Sequence, residues 1–451
     1  MLPRASHRRT PQVSPAQLVL AGFAVVIAAG AGLLSLPGAV ADGQHVSFLD
    51  ALFTATSAVC VTGLVVVDTG SVYSLAGQLI ILLLIQVGGL GIVTAASIYW
   101  LVLGRRIGLR ERVVMKEALS LETVGGVVRM VRAILLATLA IEGAGALLLA
   151  AGLWRYFPPG KAMYYGAWHA VSAFCNAGFD LFGPEFYPYC SIIPFQHDWV
   201  VVLTIGVLIV LGGLGFPVLL ELWRTRRWSG LSLHARLVLL TSALLLALGT
   251  VLFLLLEWQG VLRAMEPPDA LLNSFFLSLT PRTAGYTTLD IGRLAPSSLL
   301  LLMGLMFVGA SPVSTGGGVK TVALALLALA VYSRVKGRGE VEAFGRRIGT
   351  HNVYHALTVT AIAGTAVMAC IMLLTVVSGL DPLKLMFEAF SAFGTVGLST
   401  GITPRLNTPA KFIIIFLMFF GRVGPITVAF SLLRRERRQP VRYAEGNVII
   451  G

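Results

Sequence analysis

Four short segments of the 451-residue chain repeat one another, and each contains a glycine at the same place. They read SAVCVTGL, SAFCNAGF, LTPRTAGY and SAFGTVGL, with the shared glycine at Gly63, Gly178, Gly285 and Gly397. The glycines are 115, 107 and 112 residues apart (178−63, 285−178 and 397−285). Self-similarity at a nearly fixed period over almost the whole chain predicts a fold built from four copies of one unit.

The composition places these units in a membrane. The chain is 56% hydrophobic and 12% charged, about half the charged fraction of a soluble protein. Eight apolar stretches are long enough to cross a hydrocarbon core of about 30 Å. They lie near residues 16–37, 72–103, 131–154, 198–223, 236–258, 298–333, 354–379 and 410–433. The basic N-terminus leads into a full-length span without a small-residue cleavage site, so we expect no cleaved signal peptide.

The net charge of +13 is distributed as in a membrane protein and not as in a nucleic-acid binder. Of 34 Lys and Arg residues, 24 lie in the N-terminus, in the three loops that follow each second span, and in the C-terminus. This positive-inside pattern predicts that both termini are cytoplasmic. Contact with anionic lipid headgroups accounts for the basic clusters.

Within each unit the order is span, short apolar segment, glycine loop, span. The short segments are VSFLDALFTATSAV, YYGAWHAVSAF, ALLNSFFLSLT and PLKLMFEAFSAF. They are too short to cross a bilayer, so we predict re-entrant half-helices. The irregular backbone after each one must then be enclosed by protein or line a water-filled cavity. Four separate turns at the membrane surface are the alternative, but they leave the likeness of the segments unexplained.

We therefore predict an all-α integral membrane protein with eight transmembrane helices, whose four span–pore-loop–span repeats are arranged pseudo-fourfold around one central pore. The predicted segments are a cytoplasmic N-terminus at 1–15, repeat 1 at 16–118, repeat 2 at 119–230, repeat 3 at 231–345, repeat 4 at 346–436 and a C-terminal tail at 437–451.

The glycine loops are predicted to bind a cation through their backbone. Pointing consecutive carbonyls toward one axis requires alternating backbone handedness, with φ > 0 at one residue, which glycine tolerates. The expected ligands are the carbonyls of the glycine and of the two residues before it. These residues are Val61, Thr62, Gly63, Asn176, Ala177, Gly178, Thr283, Ala284, Gly285, Thr395, Val396 and Gly397. Thr395-Val396-Gly397 reads like the start of the TVGYG loop whose carbonyls replace the hydration shell of potassium.

Acidic residues follow three of the four glycines, at Asp68, Asp180 and Asp290, while the fourth repeat has Ser399 and Thr400. Carboxylates at the mouth of a pore concentrate cations. Each one alone is equally well interpreted as a solvated loop acid. Three in corresponding places favour a cation vestibule.

Each second span is interrupted by glycines, at residues 88–91, 212–217, 309–318 and 421–425. Close helix packing explains the first two at least as well as a break does. Residues 298–333 would make a helix of about 54 Å, with GASPVSTGGGVKT in its middle. We expect two half-helices there, joined by a loop that lies beneath the glycine loops and acts as a gate over residues 309–321. The predicted gate residues are Gly309, Ser311, Pro312, Ser314, Thr315, Gly316, Gly317, Gly318, Lys320 and Arg422.

Two cations lie well inside predicted spans, away from their ends. Lys320 either extends to the cytoplasm or places its charge near the conduction path. Arg422 lies near the bilayer middle, where an unpaired Arg costs at least about 2.5 kcal/mol. It must face water, backbone carbonyls of the gating loop or an acid, with Glu142 and Glu388 as candidates. We favour a position below the glycine loops.

These motifs together resemble the Trk/Ktr/HKT superfamily of potassium transporters, and most closely the KtrB-type membrane subunit of the bacterial Ktr system. The strongest elements are TSAVCVTGL (56–64), AFCNAGFD (173–180), PRTAGY (281–286) and GTVGLSTG (394–401), together with the GGG loop and Arg422. The resemblance implies one potassium pore per chain, a homodimer, and a cytoplasmic ring of nucleotide-binding RCK-domain subunits (KtrA type) that controls the gate. It also implies that the tail at 437–451 lies at the dimer interface and that glycine at all four positions accompanies potassium selectivity.

Two other functions remain open. A symporter that couples K⁺ to Na⁺ or H⁺ is the nearest alternative, but proton coupling favours a carboxylate in the path, and Glu388 is the nearest candidate. A membrane enzyme is the other class, with His351 and His355 at i, i+4 as its only metal-like spacing. No nucleophile motif accompanies that pair, so we expect no enzyme activity and no cofactor besides the transported potassium.

Overall fold

The computed structural model describes residues 15–91 and 127–424. Predictions for the N-terminus before residue 15, for the basic loop after Arg105, for the end of the last span and for the tail at 437–451 lie outside the described residues.

Helices dominate the described part of the chain. In chain order they are α1 Pro15–Leu34, α2 Phe48–Val59, α3 Thr69–Val72, α4 Leu75–Leu90, α5 Val127–Leu153, α6 Pro159–Phe174, α7 Trp199–Gly213, α8 Phe216–Thr225, α9 Leu233–Glu257, α10 Pro267–Leu279, α11 Pro296–Phe307, α12 Thr321–Val335, α13 Thr350–Ser378, α14 Pro382–Gly394 and α15 Thr408–Val423. Short 3₁₀ turns occupy Pro37–Ala39, Ile193–Phe195, Trp228–Gly230, Ile291–Arg293 and Thr403–Arg405. Strands β1 Val341–Ala343 and β2 Arg346–Ile348 form an antiparallel hairpin between α12 and α13, with Val341 opposite Ile348.

The first helix of each repeat is long and apolar enough to cross a bilayer. Helices α1, α5, α9 and α13 all meet this criterion, in agreement with the predicted first spans. Each packs against the short helix that follows it, pairing α1 with α2, α5 with α6, α9 with α10 and α13 with α14. The number of eight spans stays a prediction, because the described helices of the second spans are shorter than a full crossing or broken, and the first of these spans is described only to residue 91.

The short helices α2, α6, α10 and α14 coincide with the predicted half-helices, at 12 to 16 residues each. Ser47 and Asp381 cap α2 and α14 by accepting hydrogen bonds from the N–H groups of Asp50 and Lys384, which satisfies free donors of the first turn. Prolines occupy the first turns of α6, α10 and α14, where the missing N–H costs no hydrogen bond. Helices α2 and α6 end one residue before the glycine loop, α10 three residues before it, and α14 directly before it.

The second span of repeat 2 changes direction at its glycines. Helices α7 and α8 meet at an angle of 99°, and Gly215 between them has φ +92°. Gly91 after α4 and Gly424 after α15 have φ +82° and +93°, a left-handed conformation that L side chains rarely adopt. Of the two interpretations left open for residues 212–217, a break in the span is therefore present.

Close packing occurs as well, at other glycines of the same segments. A Cβ on Gly88, Gly212 or Gly421 would collide with the carbonyl oxygen of Val59, Phe174 or Phe393, respectively. These carbonyls occupy one equivalent position, four residues before the repeated glycine. The second span of repeats 1, 2 and 4 therefore touches the end of its own short helix.

The second span of repeat 3 is divided into two helices, as predicted. Helix α11 ends at Phe307, α12 begins at Thr321, and residues 308–320 between them contain no helix or strand. Residues 308–320 are called the intramembrane loop below.

Candidate functional site

The four glycine loops, residues 61–63, 176–178, 283–285 and 395–397, leave the short helices in a nearly identical way. In three of them the N–H of the middle residue donates to the carbonyl five residues earlier: Thr62 to Ser57 at 2.8 Å, Ala177 to Ser172 at 2.7 Å and Val396 to Ser391 at 2.8 Å. In the third repeat Ala284 donates to Thr280, four residues earlier, at 3.0 Å. The helix end therefore fixes where each loop begins.

Each loop contains two left-handed residues and not one. The repeated glycines have φ of +87°, +69°, +77° and +94° in chain order, as expected. The first residue of each loop is also left-handed, with φ +56° at Val61, +58° at Asn176, +69° at Thr283 and +51° at Thr395. The prediction of a single positive φ per loop was therefore wrong, because alternation places a left-handed residue on each side of the middle one. Such strain costs about 1–3 kcal/mol per residue and persists only where surrounding contacts enforce it.

Hydroxyl groups provide such contacts, and the sequence analysis missed them. The N–H groups of Gly63 and Gly397 donate to Ser57 Oγ at 3.0 Å and Ser391 Oγ at 3.1 Å. In repeats 2 and 3 the hydroxyls of Ser172 and Thr280 instead donate to the carbonyls of Phe179 and Tyr286. Serine is the first residue of three of the four repeated segments, and that recurrence was the available signal.

The four loops contact one another in a closed cycle. At each repeated glycine, an added Cβ would meet the middle carbonyl of the loop in the next repeat. Such a Cβ would lie 2.5 Å from Ala177 O when built on Gly63, 2.7 Å from Ala284 O when built on Gly178, and 2.6 Å from Val396 O when built on Gly285. On Gly397 it would strike Thr62 O. The contact order is thus repeat 1 to 2, 2 to 3, 3 to 4 and 4 back to 1, and the four loops together are called the glycine ring.

A cavity of about 410 Å³ lies against one face of the ring. Its wall includes all four repeated glycines, the three acids Asp68, Asp180 and Asp290, and Ser399 and Thr400 of the fourth repeat. The acids also have local structural partners. Asp68 accepts from the N–H groups of Ser71 and Tyr189, each at 2.9 Å, and exposed Asp290 pairs with Arg293 at 3.1 Å. Asp180 accepts from the N–H of Phe182 at 3.1 Å.

Buried polar groups support the backbone just beyond the ring. His169 Nε2 accepts from the N–H of Leu181 at 3.2 Å. The Tyr286 hydroxyl of repeat 3 donates to the Phe179 carbonyl of repeat 2 at 2.7 Å. Glu388 accepts from the hydroxyls of Ser399 and Thr403, the latter at 3.0 Å. Glu388 is therefore bonded to its own repeat's loop.

The intramembrane loop is bonded to the spans of other repeats. Ser311 and Thr315 donate from their N–H groups to Gly213 O at 3.1 Å and Gly212 O at 3.3 Å. Gly318 donates to Gly421 O at 3.3 Å. The Thr315 hydroxyl donates to Phe174 O, at the end of α6, also at 3.3 Å. The loop thereby joins repeats 2, 3 and 4.

The loop also touches the glycine ring directly. The N–H of Gly317 donates to Thr395 Oγ1 at 3.0 Å. A Cβ on Gly316 would come within 2.9 Å of Thr283 Cβ. The cavity lies at the glycine end of the ring loops, whereas this contact is made at their first residues. Two of the remaining predicted gate residues make contacts within the loop: a Cβ on Gly309 would strike Gly317 O, and Ser314 Oγ donates to Ser311 O at 2.6 Å. Pro312 O lies against Gly215 of repeat 2.

Both intramembrane cations bind backbone carbonyls. Lys320 Nζ donates to Gly316 O at 2.9 Å and Gly317 O at 3.3 Å, so it faces the loop and not the cytoplasm. Arg422 donates to Thr315 O of the loop and to Gly88 O at the end of α4. Arg422 thus binds a carbonyl of the intramembrane loop, which was one of its expected partners, and the alternative of an ion pair with Glu142 or Glu388 was wrong. Glu142 instead accepts from Gln86 Nε2 at 3.2 Å.

In the described ranges, no group of three His, Cys, Asp or Glu side chains is arranged to hold a metal ion. The exposed rings of His351 and His355 lie 6.3 Å apart without a third such ligand. The geometry of the site is therefore one of backbone carbonyls around an enclosed ring.

Long apolar helices that surround irregular buried backbone define an integral membrane protein. A model of the TrkH family, described as cation transport protein, matches residues 6–437. The chain belongs to this family, and the resemblance to the Trk/Ktr/HKT superfamily is confirmed.

Several full-length relatives show how widely the similarity extends. The chain is 39% identical to the potassium/sodium uptake protein NtpJ of Enterococcus hirae, with 98% of each chain covered. It is 38% identical to the Ktr system potassium uptake protein B of Bacillus subtilis, with 97% of each covered. The solved TrkH potassium transporter of Vibrio parahaemolyticus has a TM-score of 0.73 at 20% identity, over 96% of this chain and 87% of that one. At that identity it supports the fold alone.

Proposed function

We propose that the chain takes up potassium ions across the bacterial plasma membrane by a channel-like path through the glycine ring. The observation that carries this proposal is the closed cycle of four loops with two left-handed residues each. Alternating handedness turns successive carbonyls to one side, and rings of carbonyls replace the hydration shell of potassium in known filters. The carbonyls of residues 61–63, 176–178, 283–285 and 395–397 are the proposed ligands.

The two faces of the ring have different proposed roles. The cavity with Asp68, Asp180 and Asp290 is the outer vestibule, where carboxylates raise the local cation concentration. The intramembrane loop, which meets the ring at Gly316 and Gly317, is the gate. Arg422 holds that loop in place through Thr315 O, and its positive charge opposes cation passage.

The control of the gate is proposed from the relatives. The Bacillus subtilis and Vibrio alginolyticus relatives are named as protein B of a Ktr system, which is the name of one component among several. We infer a homodimer of this chain and a cytoplasmic RCK-domain partner of KtrA type that binds nucleotide and displaces the intramembrane loop. Both termini are then cytoplasmic, as the distribution of Lys and Arg predicts.

A second candidate is a symporter in which potassium uptake is coupled to Na⁺ or H⁺. The Enterococcus relative, which is named for potassium and sodium together, favours sodium as the partner ion. Against proton coupling, Glu388 is bonded to Ser399 and Thr403 and supports a loop.

Rubidium uptake into liposomes that contain the purified protein tests the proposal. We expect external K⁺ to compete strongly and Na⁺ and Li⁺ weakly. Equal competition by Na⁺ would contradict carbonyl-based selectivity, and uptake that requires a Na⁺ gradient would favour the symporter. The RCK-type partner is added in a parallel series, and we expect it to raise the uptake, because the proposed gate restricts the path without it.

A further inference from the structure

One hydroxyl group of the glycine ring is bonded to the intramembrane loop. Thr395 Oγ1 accepts from the N–H of Gly317 at 3.0 Å, and both residues are buried. Thr283, at the same position in repeat 3, lies against Gly316. Repeats 1 and 2 have Val61 and Asn176 at this position. The two hydroxyls thus occur in the two repeats whose ring loops touch the intramembrane loop.

Residue Gly317 is held from both sides. Its N–H faces Thr395, while its carbonyl accepts from Lys320 Nζ at 3.3 Å. No side chain fits there, because a Cβ on Gly317 would lie 2.5 Å from Thr395 Oγ1 and 2.7 Å from Thr395 Cγ2. Glycine at this position therefore allows the backbone of the intramembrane loop to approach the ring closely enough for the hydrogen bond.

The bond to Thr395 differs from the loop's bonds to Gly212, Gly213 and Gly421, which all end on helix carbonyls. It ends on a side chain of the ring itself. A buried N–H that loses its acceptor must find water or another acceptor. The loop therefore cannot leave the ring without breaking this bond and rehydrating the Gly317 amide.

We propose that the Thr395 hydroxyl is a latch that holds the intramembrane loop closed against the glycine ring. Thr395 is then a positioning residue, since its side chain acts through Gly317 and not on the ion. The hydrogen bond that holds the intramembrane loop to the ring is independent of transport. Only the statement that this loop is the gate rests on the proposed function.

The chain offers a matched set of variants. Thr395→Val removes the hydroxyl at nearly constant shape, and Val61 shows that valine occupies this left-handed position, at φ +56° against +51° for Thr395. Thr395→Ser keeps the hydroxyl. Val61→Thr adds a hydroxyl to a ring loop that is not hydrogen-bonded to the intramembrane loop in the described residues, and it controls for a general effect of threonine in the ring.

Release of the loop is measured without reference to transport. A cysteine is introduced at half-buried Ser314 in full-length protein in liposomes, and its modification by a charged methanethiosulfonate reagent is timed. The native cysteines Cys60, Cys175, Cys190 and Cys370 are buried and give little background. We expect Thr395→Val to speed the labelling about two- to tenfold, the worth of one neutral hydrogen bond. Thr395→Ser and Val61→Thr should leave the rate within twofold.

An unchanged labelling rate in Thr395→Val would overturn the latch. Equal acceleration in Thr395→Ser would also overturn it, because it would point to backbone strain and not to the hydroxyl.

Rubidium uptake by the same variants separates the latch from the proposed function. Faster labelling with a parallel rise in uptake supports both. Faster labelling without a change in uptake upholds the latch but shows that the intramembrane loop is not the gate. Unchanged labelling with weaker discrimination between K⁺ and Na⁺ would overturn the latch and assign Thr395 to the shape of the ring.

Discussion

The glycine ring and the intramembrane loop are both irregular backbone inside a membrane protein, but they are stabilised in opposite ways. Each ring loop is held mainly by its own short helix, through hydroxyls such as those of Ser57 and Ser391. The intramembrane loop occurs once, in repeat 3, and is held by repeats 2 and 4 and by Arg422. The four repeated loops thus form a closed ring in which each loop is fixed by its own repeat. The intramembrane loop instead depends on its contacts with repeats 2 and 4, which can be broken together.

We therefore expect substitutions in the glycine ring to abolish transport, and substitutions that free the intramembrane loop to increase it. The largest effect is expected from Gly285→Ala, because its Cβ would lie 2.6 Å from Val396 O. Displacing that carbonyl should lower rubidium uptake about 100-fold, the scale of effect that a misplacement of 1 Å has on a preorganised site. Gly178→Asp or Gly285→Asp should abolish uptake while the protein remains in the membrane.

Gly43→Ala is the matched control for this substitution. Gly43 has the same φ of +77° as Gly285, but no heavy atom of the described part of the chain lies within 4 Å of its added Cβ. It should lose some thermal stability from backbone strain and keep its uptake. Normal uptake in Gly285→Ala would show that the ring does not line the path.

The next largest effect is expected from Arg422→Ala, in the opposite direction. Hydrogen bonds to charged groups are worth about 1.5–3 kcal/mol, and Arg422 binds both Thr315 O and Gly88 O. Uptake in the absence of the partner should therefore rise about 10- to 100-fold. Arg347→Ala, which removes only an exposed ion pair with Glu340, should change nothing. A decrease in Arg422→Ala would mean that the loop supports the ring and does not close it.

A smaller effect is expected from Ser57→Ala, which removes the acceptor of the Gly63 N–H. One hydrogen bond is worth about 0.5–1.5 kcal/mol, so the ratio of K⁺ to Na⁺ competition should fall about two- to tenfold. Ser274→Ala is the control, because the buried Ser274 hydroxyl on α10 has no hydrogen-bond partner among the described residues. Equal effects of the two substitutions would argue against hydroxyl support of the ring.

The smallest effect is expected from Asp290→Asn at the rim of the cavity. Asp290 is exposed and already paired with Arg293, and exposed charges are screened by salt. Uptake at low rubidium concentration should fall less than twofold at low ionic strength, and the difference should vanish at 0.5 M salt. A large decrease that persists in high salt would place Asp290 at a binding site and not at the rim.

The short helices and the glycine ring, which repeat four times, were predictable from the sequence. The intramembrane loop, which occurs once, was predictable only in outline. Equivalent residues repeated four times identified the short helices and the glycine positions, because every copy had to satisfy the same backbone. The left-handed conformation of Val61 and Thr395 could not be read from residue type, since tertiary contacts impose it against local preference. Carbonyls of the intramembrane loop were among the partners expected for Arg422, but the sequence did not identify the particular oxygens of Thr315 and Gly88, which lie 107 and 334 residues away.

The most direct test of the glycine ring as one cation path is a crystal structure of the protein grown in rubidium or thallous salt. Anomalous scattering then locates the bound cations without reference to transport. We expect a peak enclosed by the carbonyls of residues 61–63, 176–178, 283–285 and 395–397, and loss of that peak in Gly285→Ala. Bound cations elsewhere in the protein, with none inside the ring, would contradict it.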